Sequence, residues 1–229
     1  MDYGTEVRLL AVTSIEENEV LAGTSADYQE ATPESESLIE YAGRLCTDTL
    51  GKLGTKPGWI QQRIKDGHES ILEHGSITVY IRASRVFTHE LVRHRIASYS
   101  QRSQRYVKET EPRYITPPGF TDEQDREFLC AMSMAWECYA HMLDLGVPKE
   151  IARYVLPGAC ETQIVMTANF REWIHIIRLR TCRGALPEMR EVMGKTFNIL
   201  RRLAPQVFNL DTCGCKEHRG KCLQESIPG

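Results

Sequence analysis

Four arginines lie close together in one segment, and no acidic residue interrupts them: Arg93, Arg95, Arg102 and Arg105. A guanidinium presents a planar fork of N–H donors that matches phosphate and carboxylate groups in bidentate fashion. Serines and glutamines at 98–104 can add directional hydrogen bonds. The segment therefore predicts either a site for a small anion, such as a nucleotide phosphate, or a solvated basic loop facing an acidic partner. The residues alone leave both interpretations open.

A second group of arginines occurs later in the chain: Arg153, Arg171, Arg178 and Arg180. Helical spacing puts Arg171 and Arg178 on one face and Arg180 on another. Salt bridges to nearby acids would explain this group, and the acids are Glu172, Glu188 and Glu191. Arginines near apolar segments are costly unless they are paired, so a buried anionic ligand is the rival explanation.

Two further sets of residues could bind a metal. His68 and His74 are flanked by glutamates, but their spacing differs from the i, i+4 pattern of helical zinc sites and favours structural histidines. The C-terminal motif 211–222 offers zinc ligand types at irregular spacing, namely Cys213, Cys215, His218 and Cys222. A reduced, mobile tail is the alternative for this motif. The other cysteines are predicted to be small buried side chains: Cys46, Cys130, Cys138, Cys160 and Cys182.

The composition fits one soluble globular domain, since 41% of the 229 residues are hydrophobic and 26% are charged. The net charge of −3 argues against a protein that binds nucleic acid over its whole surface. Apolar runs are too short for a membrane span, and the N-terminus has no secretory signal. We therefore expect a cytoplasmic protein.

Alternating apolar and polar residues predict a half-buried strand over 77–82, and apolar or β-branched runs predict strands at 7–12 and 160–167. Capping and proline signals predict helices after Pro33, Pro57, Ser84, Thr121, Asn169 and Pro187, with a short helix around Arg153. Residues 16–31 and 98–106 lack periodicity and are predicted to be loops. The fold class is α+β. There is no GxGxxG or Walker motif, so any cofactor must be bound in another way.

Residues 93–103 read Arg-His-Arg, seven residues and then Ser, with Arg105 beyond, and this resembles the signature of flavin-dependent thymidylate synthases. Further matches run in order along residues 38–203: His68-Glu69-Ser70, Glu73-His74, 152–157, Asn169-Phe170-Arg171 and Leu179-Arg180. The resemblance implies the thymidylate synthase-complementing protein fold, with helices packed around a small, largely antiparallel sheet. It implies one domain over 1–210 and leaves 211–229 as a cysteine-rich tail.

The resemblance also implies reductive methylation of dUMP to dTMP. Methylenetetrahydrofolate would be the carbon donor, NADPH the reductant and FAD the bound cofactor. The family's active sites are shared between the subunits of a homotetramer, which we expect here, without nucleic-acid or membrane partners.

Carried over by position, the resemblance assigns FAD binding to Ser70, Arg93, His94, Arg95, Gln101, Asn169, Arg171 and His175. It assigns dUMP binding to Glu90, Arg93, Gln101, Ser103, Arg105, Arg153 and Arg180. Arg180 is the expected catalytic residue, because it would stabilise negative charge that develops on the pyrimidine. Ser103 has no histidine–carboxylate pair in sequence to activate it, so we assign it to phosphate binding and not to covalent attack.

Two rival functions stay open at this stage. One is a non-enzymatic nucleic-acid-binding module that uses 93–106 and the cysteine tail, which the acidic net charge disfavours. The other is a zinc enzyme built on 213–222.

Overall fold

The structure is a computed structural model, and it describes residues 3–15, 21 and 23–209. Its sheet has four strands: β1 (Glu6–Val12), β2 (Ser76–Ser84), β3 (Ser98–Gln101) and β4 (Glu161–Asn169). Their order is β1-β2-β4-β3, and every pairing is antiparallel. The predicted α+β class with an antiparallel sheet is therefore confirmed.

Eight α-helices surround this sheet within the described residues. They are α1 (Ala26–Ala31), α2 (Glu34–Leu45), α3 (Trp59–Lys65), α4 (Arg85–Leu91), α5 (Asp122–Asp144), α6 (Lys149–Ala152), α7 (Phe170–Arg180) and α8 (Pro187–Leu203). Short 3₁₀ turns lie at Leu50–Lys52, Glu69–His74 and Arg153–Val155. No helix in this part of the chain is long and apolar enough to cross a membrane.

The core lies on one face of the two central strands, where the side-chain period of two sends every second residue inward. Ile77, Val79 and Ile81 of β2 are buried there with the inward residues of β4. Helices α7 and α8 cover this face with Trp173 and Val192. Because β4 runs directly into α7, and β2 directly into α4, the sheet fixes the starting points of both helices that carry the candidate site.

Two predicted loops contain regular structure. Residues 98–106 were expected to be irregular, yet Ser98–Gln101 forms edge strand β3 against β4. The polar sequence of β3 shows no hydrophobic alternation, so the strand is specified only by its backbone pairing with a strand far away in sequence. Within 16–31, Ala26–Ala31 is helical, with Ser25 as N-cap accepting from the Tyr28 amide. This helix buries none of its residues, so its sequence carries no apolar stripe.

The prediction of buried cysteines is confirmed for Cys160 and Cys182 and wrong for Cys46, Cys130 and Cys138. The last two lie on α5, of which only Met132, Trp136 and Tyr139 are buried. A long helix covers the domain along a narrow stripe, so most of its small apolar residues face outward. The motif 211–222 and its possible zinc ligands lie outside the described residues.

Candidate active site

Helix α4 carries the chain into the arginine-rich segment, and its N-terminus is fixed by two hydrogen bonds to a buried carboxylate. Ser84 Oγ accepts from the Phe87 amide at 3.0 Å, which makes it the N-cap. The Ser84 amide and hydroxyl in turn donate to the two oxygens of Glu188, at 2.7 and 2.5 Å. Glu188 is one of the acids that the salt-bridge explanation offered to the second arginine group, and in the structure it fixes this cap. Burial raises its pKa, and the Ser84 bonds oppose that rise.

Arg180, at the last turn of α7, contacts two residues from the end of α4 and the turn beyond it. One terminal nitrogen of its guanidinium forms an ion pair with the Glu90 carboxylate, and the other donates to the Glu90 carbonyl at 3.4 Å. Its Nε donates to His94 Nε2 at 2.8 Å. The side chain of Arg180 is only 15% exposed, so these contacts orient it tightly. Glu90 and Arg180, which the resemblance assigns to dUMP binding, therefore lie beside His94, which it assigns to FAD binding.

His94 is neutral in this arrangement. A guanidinium is only a donor, so His94 Nε2 must be unprotonated to accept from it, and the ring proton then lies on Nδ1. Burial and the positive charges of Arg180 and His175 lower the His94 pKa to about 4. The backbone carbonyl of His94 accepts from the Tyr99 hydroxyl at 2.9 Å. Burial raises the Tyr99 pKa to about 12, so that hydroxyl keeps its proton as a donor.

Glu172 and His175 of α7 complete this cluster. Glu172 Oε1 lies 3.5 Å from His94 Nδ1, and the rings of His94 and His175 meet edge to face with centroids 5.6 Å apart. Together the three side chains offer ligand atoms within 4.8 Å of one another, a spacing that could suit a metal ion. However, the His94 Nε2 lone pair already accepts from a cation. A metal on either nitrogen of His94 would break that contact, so the geometry disfavours a metal here.

A second group of predicted residues is assembled around Glu150. Arg105 Nε pairs with the Glu150 carboxylate at 3.0 Å, and Arg153 Nε donates to the Glu150 carbonyl at 3.1 Å. Ser103 Oγ accepts from the Arg105 amide at 3.2 Å. Gln101 lies just before this group, on β3, and its Nε2 donates to Thr88 Oγ1 of α4 at 2.9 Å. It thus ties the segment that leads to Ser103 to the helix that carries Glu90.

Arg85 and Gln104 are two polar residues that the motif comparison missed. Arg85 NH1 is buried and has no hydrogen-bond partner within the described residues, whereas the buried Gln104 side chain interacts with the Cys160 thiol. Burial lowers the Arg85 pKa, and the neighbouring charge of Arg153 adds to that effect. A buried donor without an acceptor is unfavourable, so the Arg85 guanidinium requires a ligand or water. In sequence, Arg85 looks only like the first residue of a capped helix, which is why it was overlooked.

The remaining predicted residues lie apart from these two groups or on the surface. Arg171 forms salt bridges, one of the two explanations for the second arginine group, but its partners are Glu73 at 2.6 Å and Glu69 at 3.5 Å and not Glu172. Asn169 caps α7 by accepting from the Glu172 amide at 2.9 Å. Arg93 and Arg95 are exposed, and neither side chain has an ion pair among the described residues. Ser70, His68 and His74 lie in or next to the 3₁₀ turn Glu69–His74 that faces α7.

Comparison with known proteins identifies the family. The family model described as "Thymidylate synthase complementing protein" matches residues 29–206. This chain belongs to the thymidylate synthase complementing protein family. Its relatives in that family include proteins named "Flavin-dependent thymidylate synthase". One, from Geobacter sulfurreducens, is 39% identical over 199 residues and covers 80% of this chain and 85% of its own. Another, from Mycobacterium tuberculosis, is 36% identical over 225 residues, and the match covers 89% of this chain and 90% of the relative.

The solved structures support the same fold. The UMP/dUMP methylase PolB from Streptomyces cacaoi, bound with 5-Br dUMP, matches with a TM-score of 0.72 and 24% identity. The match covers 90% of this chain and 93% of PolB. The resemblance carried by residues 93–106 is thus confirmed at the level of family and fold.

Proposed function

We propose that this protein catalyses the reductive methylation of dUMP to dTMP. Methylenetetrahydrofolate is the carbon donor, NADPH the reductant and FAD the bound cofactor, and the active sites are shared in a homotetramer. The observation that carries the proposal is Arg180, a partly buried guanidinium held by Glu90 and a neutral His94 at the end of α7. Such an oriented cation suits stabilisation of negative charge on a pyrimidine ring.

The donor set of the 93–95 turn fits a flavin dinucleotide. Arg93 and Arg95 extend into solvent and lack ion pairs in the part of the chain described, so their donors are available to a diphosphate. His94 is buried beside them. We assign these three residues, with Ser70, Gln101, Asn169, Arg171 and His175, to the FAD site. When bound, the flavin supplies the hydride that reduces the uracil ring.

The Glu150 group fits the 5′-phosphate of dUMP. Ser103, Arg105 and Arg153 offer a hydroxyl and two guanidinium groups, while Arg85 adds a buried donor that lacks an acceptor among the described residues. A phosphate dianion would satisfy these donors and compete with Glu150 for Arg105. These donors support a role for Ser103 in binding the phosphate. They do not include a base that would activate the Ser103 hydroxyl as a nucleophile.

The neutral state of His94 contributes to the proposed chemistry. A second positive charge 2.8 Å from Arg180 would repel it, whereas a neutral Nε2 accepts its Nε–H and fixes its plane. Glu90 fixes the opposite edge of the same guanidinium. Arg180 is therefore preorganised, so little reorganisation opposes stabilisation of charge at the uracil N3 and O4 side.

Tritium release from [5-³H]dUMP tests the proposal directly. Purified protein with FAD, NADPH and methylenetetrahydrofolate should release tritium and form dTMP. Arg180→Ala should lower that rate by about 100-fold or more, the usual loss when one preorganised donor is removed. Arg126→Ala, on the exposed side of α5, is the matched arginine control and should keep the full rate. A wild-type protein that binds no flavin and releases no tritium would refute the proposal.

A further inference from the structure

Glu172 stands where the sequence predicts half of a helix capping box. In that motif the N-cap side chain accepts from the third helical residue, whose carboxylate accepts in return from the N-cap amide. The structure forms the first bond, from the Glu172 amide to Asn169 Oδ1 at 2.9 Å. The carboxylate of Glu172 faces His94 instead, 3.5 Å from Nδ1, and only 8% of the residue is exposed. Capping of α7 therefore does not explain why a carboxylate is buried here.

Burying a carboxylate is unfavourable unless a specific partner compensates for the loss of water. The raised pKa of Glu172 reflects that burial, which the charge of His175 partly offsets. The nearest such group is His94 Nδ1, 3.5 Å from Glu172 Oε1, which is longer than an ordinary hydrogen bond. A carboxylate oxygen can only accept from this nitrogen when it carries the proton, so Glu172 favours the Nδ1–H tautomer.

That tautomer is the one that Arg180 requires. With the proton on Nδ1, Nε2 accepts from Arg180 Nε; with the proton on Nε2, two N–H donors would face each other across 2.8 Å. We infer that Glu172 is a positioning residue, which sets the tautomer of His94 and thereby the orientation of Arg180. Residues from α7, α4 and the turn after α4 thus form one series of contacts, Glu172–His94–Arg180–Glu90. The catalytic consequence of this inference rests on the proposed function.

Imidazole nitrogen NMR of the flavin-bound protein, labelled with ¹⁵N-histidine, tests the tautomer without any turnover. His94→Gln identifies the His94 signals by their loss. In the wild type, Nε2 should give a pyridine-type signal and Nδ1 a pyrrole-type signal. Glu172→Ala should mix the two tautomers. Glu172→Gln should retain the wild-type pattern, because its amide oxygen can still accept from Nδ1. A wild-type His94 protonated on Nε2, or a pattern unchanged in Glu172→Ala, would overturn the inference.

A double-mutant cycle on dUMP binding tests the route through Arg180. We expect Glu172→Ala to weaken the dUMP Kd about tenfold, the loss expected for one hydrogen bond to a charged group. Glu172→Gln should lose less than about threefold, by the same reasoning. In an Arg180→Ala background, Glu172→Ala should weaken binding no further, because the residue through which it acts is gone. Equal losses in both backgrounds would indicate a merely structural role and overturn the inference.

Glu137→Ala, which removes an exposed carboxylate from α5, is the matched control and should leave the Kd unchanged. Thermal unfolding of each variant checks that the domain is folded. The two proposals fail in different ways. A wild type that does not bind dUMP refutes the proposed function, and the NMR experiment still decides the tautomer. A wild type that binds dUMP, with a cycle that shows no coupling, refutes the role of Glu172 alone.

Discussion

Replacing Glu188 with alanine should destabilise the fold at the point from which α4 starts. The carboxylate is 4% exposed and accepts two hydrogen bonds, from the Ser84 amide at 2.7 Å and the Ser84 hydroxyl at 2.5 Å. Hydrogen bonds to a charged group contribute about 1.5–3 kcal/mol each, and removing a buried charge returns part of that through recovered solvation. We expect a net loss of about 3 kcal/mol in the free energy of unfolding.

Urea denaturation at fixed protomer concentration measures this loss, since association would otherwise shift the midpoint. Glu188→Gln retains one acceptor for the Ser84 amide and should lose only about 1 kcal/mol. Glu137→Ala, on the exposed side of α5, should lose less than about 0.5 kcal/mol. A loss below about 1 kcal/mol for Glu188→Ala, or equal losses for the alanine and glutamine variants, would refute the reasoning.

The same residue predicts a pH dependence with a definite sign. Burial raises the folded-state pKa of Glu188, so the folded protein holds this proton more tightly than the unfolded chain does. Its contribution to stability is therefore present below the ordinary glutamate pKa of about 4.3 and is lost as the pH rises through the raised value. As the pH falls from neutrality into that window, wild type should gain stability relative to Glu188→Gln. An unchanged difference would contradict this assignment.

Two further predictions concern the flavin site and the end of the chain that the structure describes. Arg93→Ala should weaken FAD binding about tenfold without changing the thermal midpoint, because the side chain is exposed and lacks an ion pair among the described residues. Flavin fluorescence titration measures the affinity, with Arg126→Ala as the control. Equal affinities of Arg93→Ala and wild type for FAD would contradict the prediction. Glu36→Ala should destabilise the fold by about 2–4 kcal/mol in urea denaturation, because the fully buried Glu36 carboxylate accepts hydrogen bonds from the amides of Gln206 and Val207. A loss below about 1 kcal/mol in the free energy of unfolding would contradict this prediction.

The sequence predicts those parts of the fold that local patterns specify. The alternation at 77–82 marks β2, and Ser84, Thr121 and Asn169 each cap the helix that was predicted to follow them. These signals work because their physical causes act over two to four residues. Strand β3 is not predicted in this way, because its polar side chains show no hydrophobic alternation. Its partners on β4 also lie 63 to 69 residues away in sequence, from Gln101–Ile164 to Ser98–Thr167.

The candidate site also has features that the sequence predicts and features that depend on long-range contacts. Residue type and spacing single out the arginines at 93–105, 153 and 180, and the family resemblance assigns them to the site. The contacts that make these residues a site join positions far apart in sequence, such as Arg180 with Glu90 and Arg105 with Glu150. Long-range pairing also explains why Glu172 and Glu188 do not pair with the arginines next to them in sequence. Glu172 and Glu188 had arginines as sequence neighbours, but the fold directs both carboxylates to other partners.

Each arginine of the site that pairs with a glutamate in this structure brings its own counter-ion. Glu90 neutralises Arg180, Glu150 neutralises Arg105, and Glu73 neutralises Arg171. A phosphate that binds in such a site replaces a glutamate carboxylate as the partner of the arginine. It does not enter a site that carries an uncompensated positive charge. The long-range attraction that guides an anionic ligand to the protein should therefore come mainly from the site's arginines that have no glutamate partner among the described residues, namely Arg85, Arg93, Arg95 and Arg153. Its dependence on ionic strength should be that of these four charges and not of all the site's arginines.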